Sequence, residues 1–192
     1  MTLSSRIVVL ALAVLATGAA GAWDAGHAAA RGTWYAAGMA STRYQLPSEE
    51  GEDLFVLNLA PRVLFFPLDG FGLGAGAGFA FISHYTTERE IDVGPRAAYY
   101  LRRSPWMPYA GLSFEYVHNS MAQVSGIDAE TGWQLGAAIG VSPVVGSHGT
   151  LPVELSYTFR SLTRPTPEGS ENARVSTLGL EVGLGFFLGR GK

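Results

Sequence analysis

Not one cysteine occurs in the chain. That absence excludes a disulfide framework, a thiolate metal site and an acylated N-terminal cysteine of the lipoprotein kind. Basic residues are scarce as well: 13 Lys and Arg stand against 16 Asp and Glu, a formal charge of −3. Nothing in that balance suits nucleic acid. Past residue 22 no run approaches the roughly 18 apolar residues that read as a spanning helix, although 47% of the chain is hydrophobic. The hydrophobicity is dispersed in short alternating pieces, punctuated by 25 glycines and 10 prolines. That pattern predicts an all-β protein.

The first residues are the exception. One positive charge at Arg6 precedes an apolar stretch, 7–16, and then small residues ending Ala20-Gly21-Ala22. This is the layout of a secretory signal peptide, and its apolar core is shorter than the roughly 20 residues a membrane-crossing helix needs. Cleavage is expected before Trp23, with Ala28-Ala29-Ala30 as a second candidate site. Removal of 1–22 takes away Arg6 alone among the charges, leaving 170 residues with 12 basic and 16 acidic side chains, a charge of −4. That is about one domain's worth: a short segment 23–31, a β domain over 32–189 and a tail 190–192.

Eight alternating segments follow, at 33–44, 53–66, 71–85, 89–101, 108–119, 130–142, 151–162 and 174–188. Each is long enough to cross a bilayer as a tilted strand, which takes about 9 to 11 residues. The connections fall into two sets. Those at 67–70, 102–107 and 143–150 are short or contain proline; those at 45–52, 86–88, 120–129 and 163–173 are mostly longer and more polar. In a membrane barrel short turns face the periplasm and long loops face outward.

What alternates separates a membrane barrel from a soluble one, because the two share a period but invert inside and outside. In the seventh segment Leu151, Val153, Leu155, Tyr157 and Phe159 oppose Pro152, Glu154, Ser156, Thr158 and Arg160. In the third, Phe71, Leu73, Ala75, Ala77, Phe79 and Phe81 oppose Gly72, Gly74, Gly76, Gly78 and Ala80. Bulk is expected outside, and glycine inside a bore only just wide enough for side chains. The first segment's alternation is ambiguous, with Trp34, Ala36 and Gly38 on the expected lumen face. Arg62, Arg96, Glu115, Glu154, Arg160 and Glu181 all take the lumen phase, as they must when a Lys or Arg facing hydrocarbon costs about 2–4 kcal/mol. They are expected to pair, Arg62 and Arg96 engaging Glu115, Glu154 and Glu181, and to plug the bore. An ion pathway is the weaker reading, since eight strands leave no aqueous channel. Aromatics at the turn ends, Phe65, Phe66, Phe71, Tyr99, Tyr100, Trp106, Tyr109, Phe186 and Phe187, read as an interfacial girdle.

The last strand carries the most specific pattern. Glu181-Val182-Gly183-Leu184-Gly185-Phe186-Phe187-Leu188 matches polar-x-Gly-x-x-apolar-x-apolar at Glu181, Gly183, Phe186 and Leu188. With Gly94-Pro95-Arg96 to Tyr100 and Pro108-Tyr109-Ala110-Gly111, it makes residues 32–189 resemble the outer-membrane β-barrel domain family, the OmpA- and OmpX-like eight-stranded barrels. The chain departs from many relatives by continuing to Gly189-Arg190-Gly191-Lys192. The resemblance implies an eight-stranded antiparallel transmembrane barrel in a bacterial outer membrane, a monomer without cofactor, inserted by the barrel-assembly machinery. Its surroundings would be outer-membrane lipid and lipopolysaccharide, with any external ligand met by the loops. No peptidoglycan-binding domain is expected after it.

One constellation suggests chemistry. His118 and Ser120 share a face at i, i+2, where an imidazole can activate a hydroxyl, and His118-Asn119-Ser120 is faintly similar to the H-x-S-N motif of lipid A deacylases. Met121 stands where that motif has Asn, and Glu130 lies at a different spacing, so polar residues at a strand end are the better reading. His27, His84 and His148 are isolated, and no metal site is assigned. A lipocalin-like soluble carrier is the remaining alternative; its ligand cavity needs an apolar interior that this alternation does not supply. The expectation is a non-enzymatic barrel with a structural or surface-interaction role.

Overall fold

The structure is a computed structural model that describes residues 28–45, 54–83, 87–101, 106–121, 129–145, 148–166 and 169–189. The expected signal segment 1–22 and the tail 190–192 lie outside them, as do His27 and His84. Ten strands follow in chain order: β1 (Trp34–Gln45), β2 (Leu54–Leu68), β3 (Phe71–Ser83), β4 (Thr87–Tyr100), β5 (Pro108–Met121), β6 (Glu130–Val141), β7 (Val144–Val145), β8 (Gly149–Thr150), β9 (Val153–Thr166) and β10 (Gly169–Leu188). The eight long ones form an antiparallel ring, β1-β2-β3-β4-β5-β6-β9-β10, closed by pairing of β1 with β10. Closure is what lets strands with one apolar and one polar face bury the polar one without leaving free edges.

Two connections differ from the sequence expectation. The predicted turn 143–150 holds the small β7–β8 hairpin, and β8 pairs with β10 at Gly185↔Thr150 and Phe186↔Gly149. The Gly183 amide donates to the Pro152 carbonyl and the Phe187 amide to His148, so β8 continues the wall that β9 forms higher up. Pro152, which has no N–H to give, marks the break between them. The predicted loop 163–173 is largely strand, with the ladder running through Thr163↔Asn172 to Thr166↔Gly169. Beyond the apolar band both faces of a strand are wet, so the hydrophobic alternation fades while the backbone pairing continues.

On β3 and β9 the described side chains sort by phase as expected. Leu73, Phe79, Phe81, Ile91, Val93, Leu112, Phe114, Leu135, Ile139, Leu155 and Leu180 stand exposed on the outer wall, Leu112 at 67%. Gly76 and Gly78 show why β3 carries glycine inside. A Cβ at Gly76 would collide with the Arg96 side chain, and one at Gly78 with the Asp92 carboxylate. The chain turns from β2 to β3 at Asp69-Gly70, where Gly70 holds φ +77° and any Cβ would meet the Tyr100 carbonyl.

The phase of β1 corrects the sequence reading. Trp34 is half exposed and Gly38 also faces out, while Tyr35, Ala37 and Met39 are buried in the lumen. Small residues do not by themselves mean interior; pairing does, since Tyr35 lies opposite Phe187 and Leu64, both inward. The aromatic girdle needs the same correction. Trp34, Tyr99, Trp106 and Phe186 are exposed, and Phe65 packs on Trp34, but Phe66, Tyr100, Tyr109 and Phe187 are buried. Consecutive aromatics on a strand point to opposite faces, so one of each pair enters the bore.

Those inward rings join Tyr35 and Met107 in one cluster that closes the turn end. Tyr100 stacks on Tyr109 at 4.8 Å, and Tyr35 lies 4.7 Å from Phe187. Residues 28–33 seal it from below: the Gly32 amide donates to Phe66, the Gly70 amide to Ala29 and the Arg31 amide to Asp69 Oδ1 at 2.7 Å.

Candidate functional site

Among the described residues, chemistry-bearing side chains converge in the charged interior. Directly on the aromatic cluster sits a compact triad. Arg62 Nη1 donates to Glu154 Oε2 at 2.7 Å, the Tyr109 hydroxyl donates to the same oxygen at 2.7 Å, and Arg62 Nη2 reaches the Tyr109 hydroxyl at 3.2 Å. The Arg62 guanidinium also lies over the Tyr109 ring, 5.6 Å from its centre. All three side chains are buried. Two opposite charges held this way in a water-poor bore need each other, because removing either partner leaves an uncompensated buried ion.

A second network occupies the walls of β4, β5, β6 and β9. Arg96 pairs with Glu115, which also accepts from the Gln134 amide. The other end of Gln134 accepts from Arg160 Nε at 2.8 Å, and Arg160 Nη1 donates to Glu90 Oε2 at 2.6 Å. Gln134 thus bridges a carboxylate and a guanidinium with the two ends of one amide. Asp92 lies over Gly78 on the same inward phase as Glu90 and Arg96. Glu181 takes the Ser156 hydroxyl at 2.9 Å.

Sequence reasoning placed Arg62, Arg96, Glu115, Glu154, Arg160 and Glu181 in the bore, and the structure brings all six there. The pairing of Arg62 with Glu154 and of Arg96 with Glu115 is as expected. Glu181 is held by a hydroxyl rather than an arginine, and Arg160 finds Glu90, a residue the sequence reading missed. Gln134 and Tyr109 were missed as members too, Tyr109 having been assigned to the girdle. The parity of β4 carried the signal for Glu90, which sits two and six residues before Asp92 and Arg96.

A cavity of about 300 Å³ remains within the bore, lined among others by Ser41, Asn58, Asp92, Arg160, Thr177 and Glu181. Three arginines and five carboxylates, Glu90, Asp92, Glu115, Glu154 and Glu181, border it. Its floor is the Arg62 triad and the aromatic cluster beneath. Among the described residues no group of three metal-ligating side chains converges.

The His118 and Ser120 pair takes a different place. His118 is exposed on the outer wall, opposite Ile91 and Thr131. Glu130 is buried on the inward phase, opposite Asn119, so the wall separates its side chain from the imidazole. The Ser120 side chain lies outside the described part of the structure. Of the insertion pattern, Glu181 faces the bore while Phe186 and Leu188 stand exposed outside.

No protein-family model and no curated protein matches the sequence. Solved structures do. The outer membrane protein OprG from Pseudomonas aeruginosa superposes with a TM-score of 0.55 at 13% identity, covering 84% of this chain and 98% of that one. Neisserial surface protein A gives 0.53 at 19% identity, over 80% and 96%. The outer membrane protein AlkL, solved in lipid bilayers, gives 0.50 at 14% identity, over 88% and 93%. The chain therefore has the fold of the eight-stranded outer-membrane β-barrels.

Proposed function

We propose that the chain is exported through its N-terminal segment and spans a bacterial outer membrane as a non-enzymatic barrel, blind at the turn end, that strengthens the envelope or meets partners through its loops. One observation carries this reading: the outer wall is apolar over its whole circumference while ionic side chains fill the bore. In water such a wall would be a continuous exposed hydrophobic surface far beyond the few hundred Å² that monomeric soluble proteins tolerate. In a bilayer it is the solvated face, and exposed Trp34, Tyr99 and Trp106 at the turn end suit the headgroup layer. A soluble carrier needs the inverse arrangement.

Closure favours a structural or recognition role over conduction, since the Arg62 triad and eleven packed hydrophobic residues block the bore. The separation of His118 from Glu130 by the wall supports the non-enzymatic reading. Spin labels at Leu155 and Ser156 in phospholipid vesicles test the membrane placement. Leu155 should be reached by lipid-dissolved oxygen and Ser156 should not; the reverse result sinks the proposal. For the role, deletions within 46–53, 84–86 and 122–128 should change adhesion or serum survival without loss of heat-modifiable gel migration. Esterase activity on lipopolysaccharide that disappears in Ser120→Ala would restore the enzymatic alternative.

A further inference from the structure

Each arginine around the bore cavity has a carboxylate of its own. Arg62 holds Glu154, Arg96 holds Glu115 and Arg160 holds Glu90. Two of the five carboxylates are left over, Asp92 and Glu181. Among the described residues Glu181 accepts only the Ser156 hydroxyl, on Oε1. Asp92 has neither a hydrogen bond nor an ion pair there, although it lines the cavity and is only 8% exposed. A carboxylate withdrawn from water without a counter-charge is among the costliest groups a fold can hold.

The wall makes room for that carboxylate instead of neutralising it. Asp92 lies on Gly78, where a Cβ would overlap both carboxylate oxygens. The inward positions nearest to it on β4 are Glu90 and Arg96, both already committed to other partners. Glu181 comes from the facing wall, since β4 and β10 stand four places apart in the ring of eight. The two unmatched charges therefore look into one cavity from opposite sides.

The rest of the lining fixes the chemistry of a ligand. Ser41, Asn58, Thr158 and Thr177 add oxygen acceptors to the two carboxylates, which suits an ammonium group with its three N–H donors. A bare metal ion suits the site poorly: no three metal-ligating side chains converge among the described residues, and Mg²⁺ or Ca²⁺ takes about six oxygens or more. Arg160 points inward yet keeps 24% exposure, so water reaches the cavity from the loop side, the turn end being closed by the ring cluster.

We propose that the bore cavity is a binding site for a small aliphatic diammonium cation, one ammonium on Asp92 and the other on Glu181 across the ring. Its two positive charges match the two carboxylates that no arginine takes up, and its methylene chain spans the bore between them. This goes beyond the membrane placement, because the bore keeps the same neighbours in a micelle as in a bilayer.

Calorimetric titration of 1,4-diaminobutane into the folded chain in uncharged detergent micelles should give saturable, one-site heat. Butylamine, with one ammonium, should bind about tenfold more weakly, the equivalent of one charge-assisted hydrogen bond. Asp92→Asn and Glu181→Gln each remove a charge while keeping the shape, and each should weaken the diamine about tenfold. Retained heat-modifiable gel migration shows that a variant is folded, and either variant alone decides the matter should the other fail to fold. The double variant should not bind, whereas Thr163→Ala on the outer wall should bind as the unchanged chain does. Absence of saturable heat at millimolar diamine overturns the site, as does binding that survives both substitutions together. Equal affinity for butylamine overturns the two-ended arrangement. Mg²⁺ that binds as tightly as the diamine, and is lost in the same variants, overturns the ligand class. Oxygen access at Leu155 reports the membrane placement separately, so failure of one reading is not mistaken for failure of the other.

Discussion

The two ends of the barrel are built on opposite principles. At the turn end the first and last strands are paired, rings from five strands interlock, and one ion pair is sandwiched between them and the cavity. Toward the loop end the bore is lined by carboxylates in excess of arginines, its polar groups are chained through Gln134, and one seam is only half made. The contrast shows how a narrow cylinder separates tasks: apolar packing gives the turn end its seal, while hydrogen-bonded charge leaves the other end a polar cavity.

Breaking the sealed end should cost most. Arg62→Met strands Glu154 and is expected to destabilise the barrel by about 3–5 kcal/mol, whereas Arg62→Met with Glu154→Leu should recover most of the loss, because a buried pair replaced as a unit is near neutral. Denaturant unfolding in lipid vesicles measures both. Next in size is the outer wall: Leu112→Arg should lose about 2–4 kcal/mol in the same assay, the cost of an arginine near the bilayer midplane. At the loop end Arg160→Met should lose less than Arg62→Met, about 1–3 kcal/mol, since it strands the buried Glu90 but Arg160 itself keeps partial exposure through which water can enter. The smallest effect tests the seal from within. The buried Tyr100 hydroxyl has no hydrogen-bond partner among the described residues, so Tyr100→Phe should be neutral or gain up to about 1 kcal/mol. A loss at Arg160 as large as that at Arg62 would erase the distinction between the two ends.

Much of this was legible in the chain because a strand writes its environment in alternate letters. Glu154 between Val153 and Leu155, or Gly78 between Ala77 and Phe79, declares its face without any knowledge of its neighbours. Legibility fails where the letters are alike. Ala36, Ala37, Gly38 and Met39 show little contrast, and the sequence reading put the wrong half of β1 inside. Phe65-Phe66, Tyr99-Tyr100 and Phe186-Phe187 each read as girdle, though half of those rings form the plug. Polar strand ends such as 163–166 read as loop, since nothing apolar alternates there.

Local alternation, set by the two-residue repeat of an extended backbone, thus determined the strand number, the outward apolar wall and the six ionic residues of the bore. Which arginine meets which carboxylate, which ring of a pair turns inward, and how far the first and last strands join depend on side chains brought together from opposite ends of the chain, as Tyr35 and Phe187 are. Only closure of the ring creates those neighbours, so no stretch of sequence contains them.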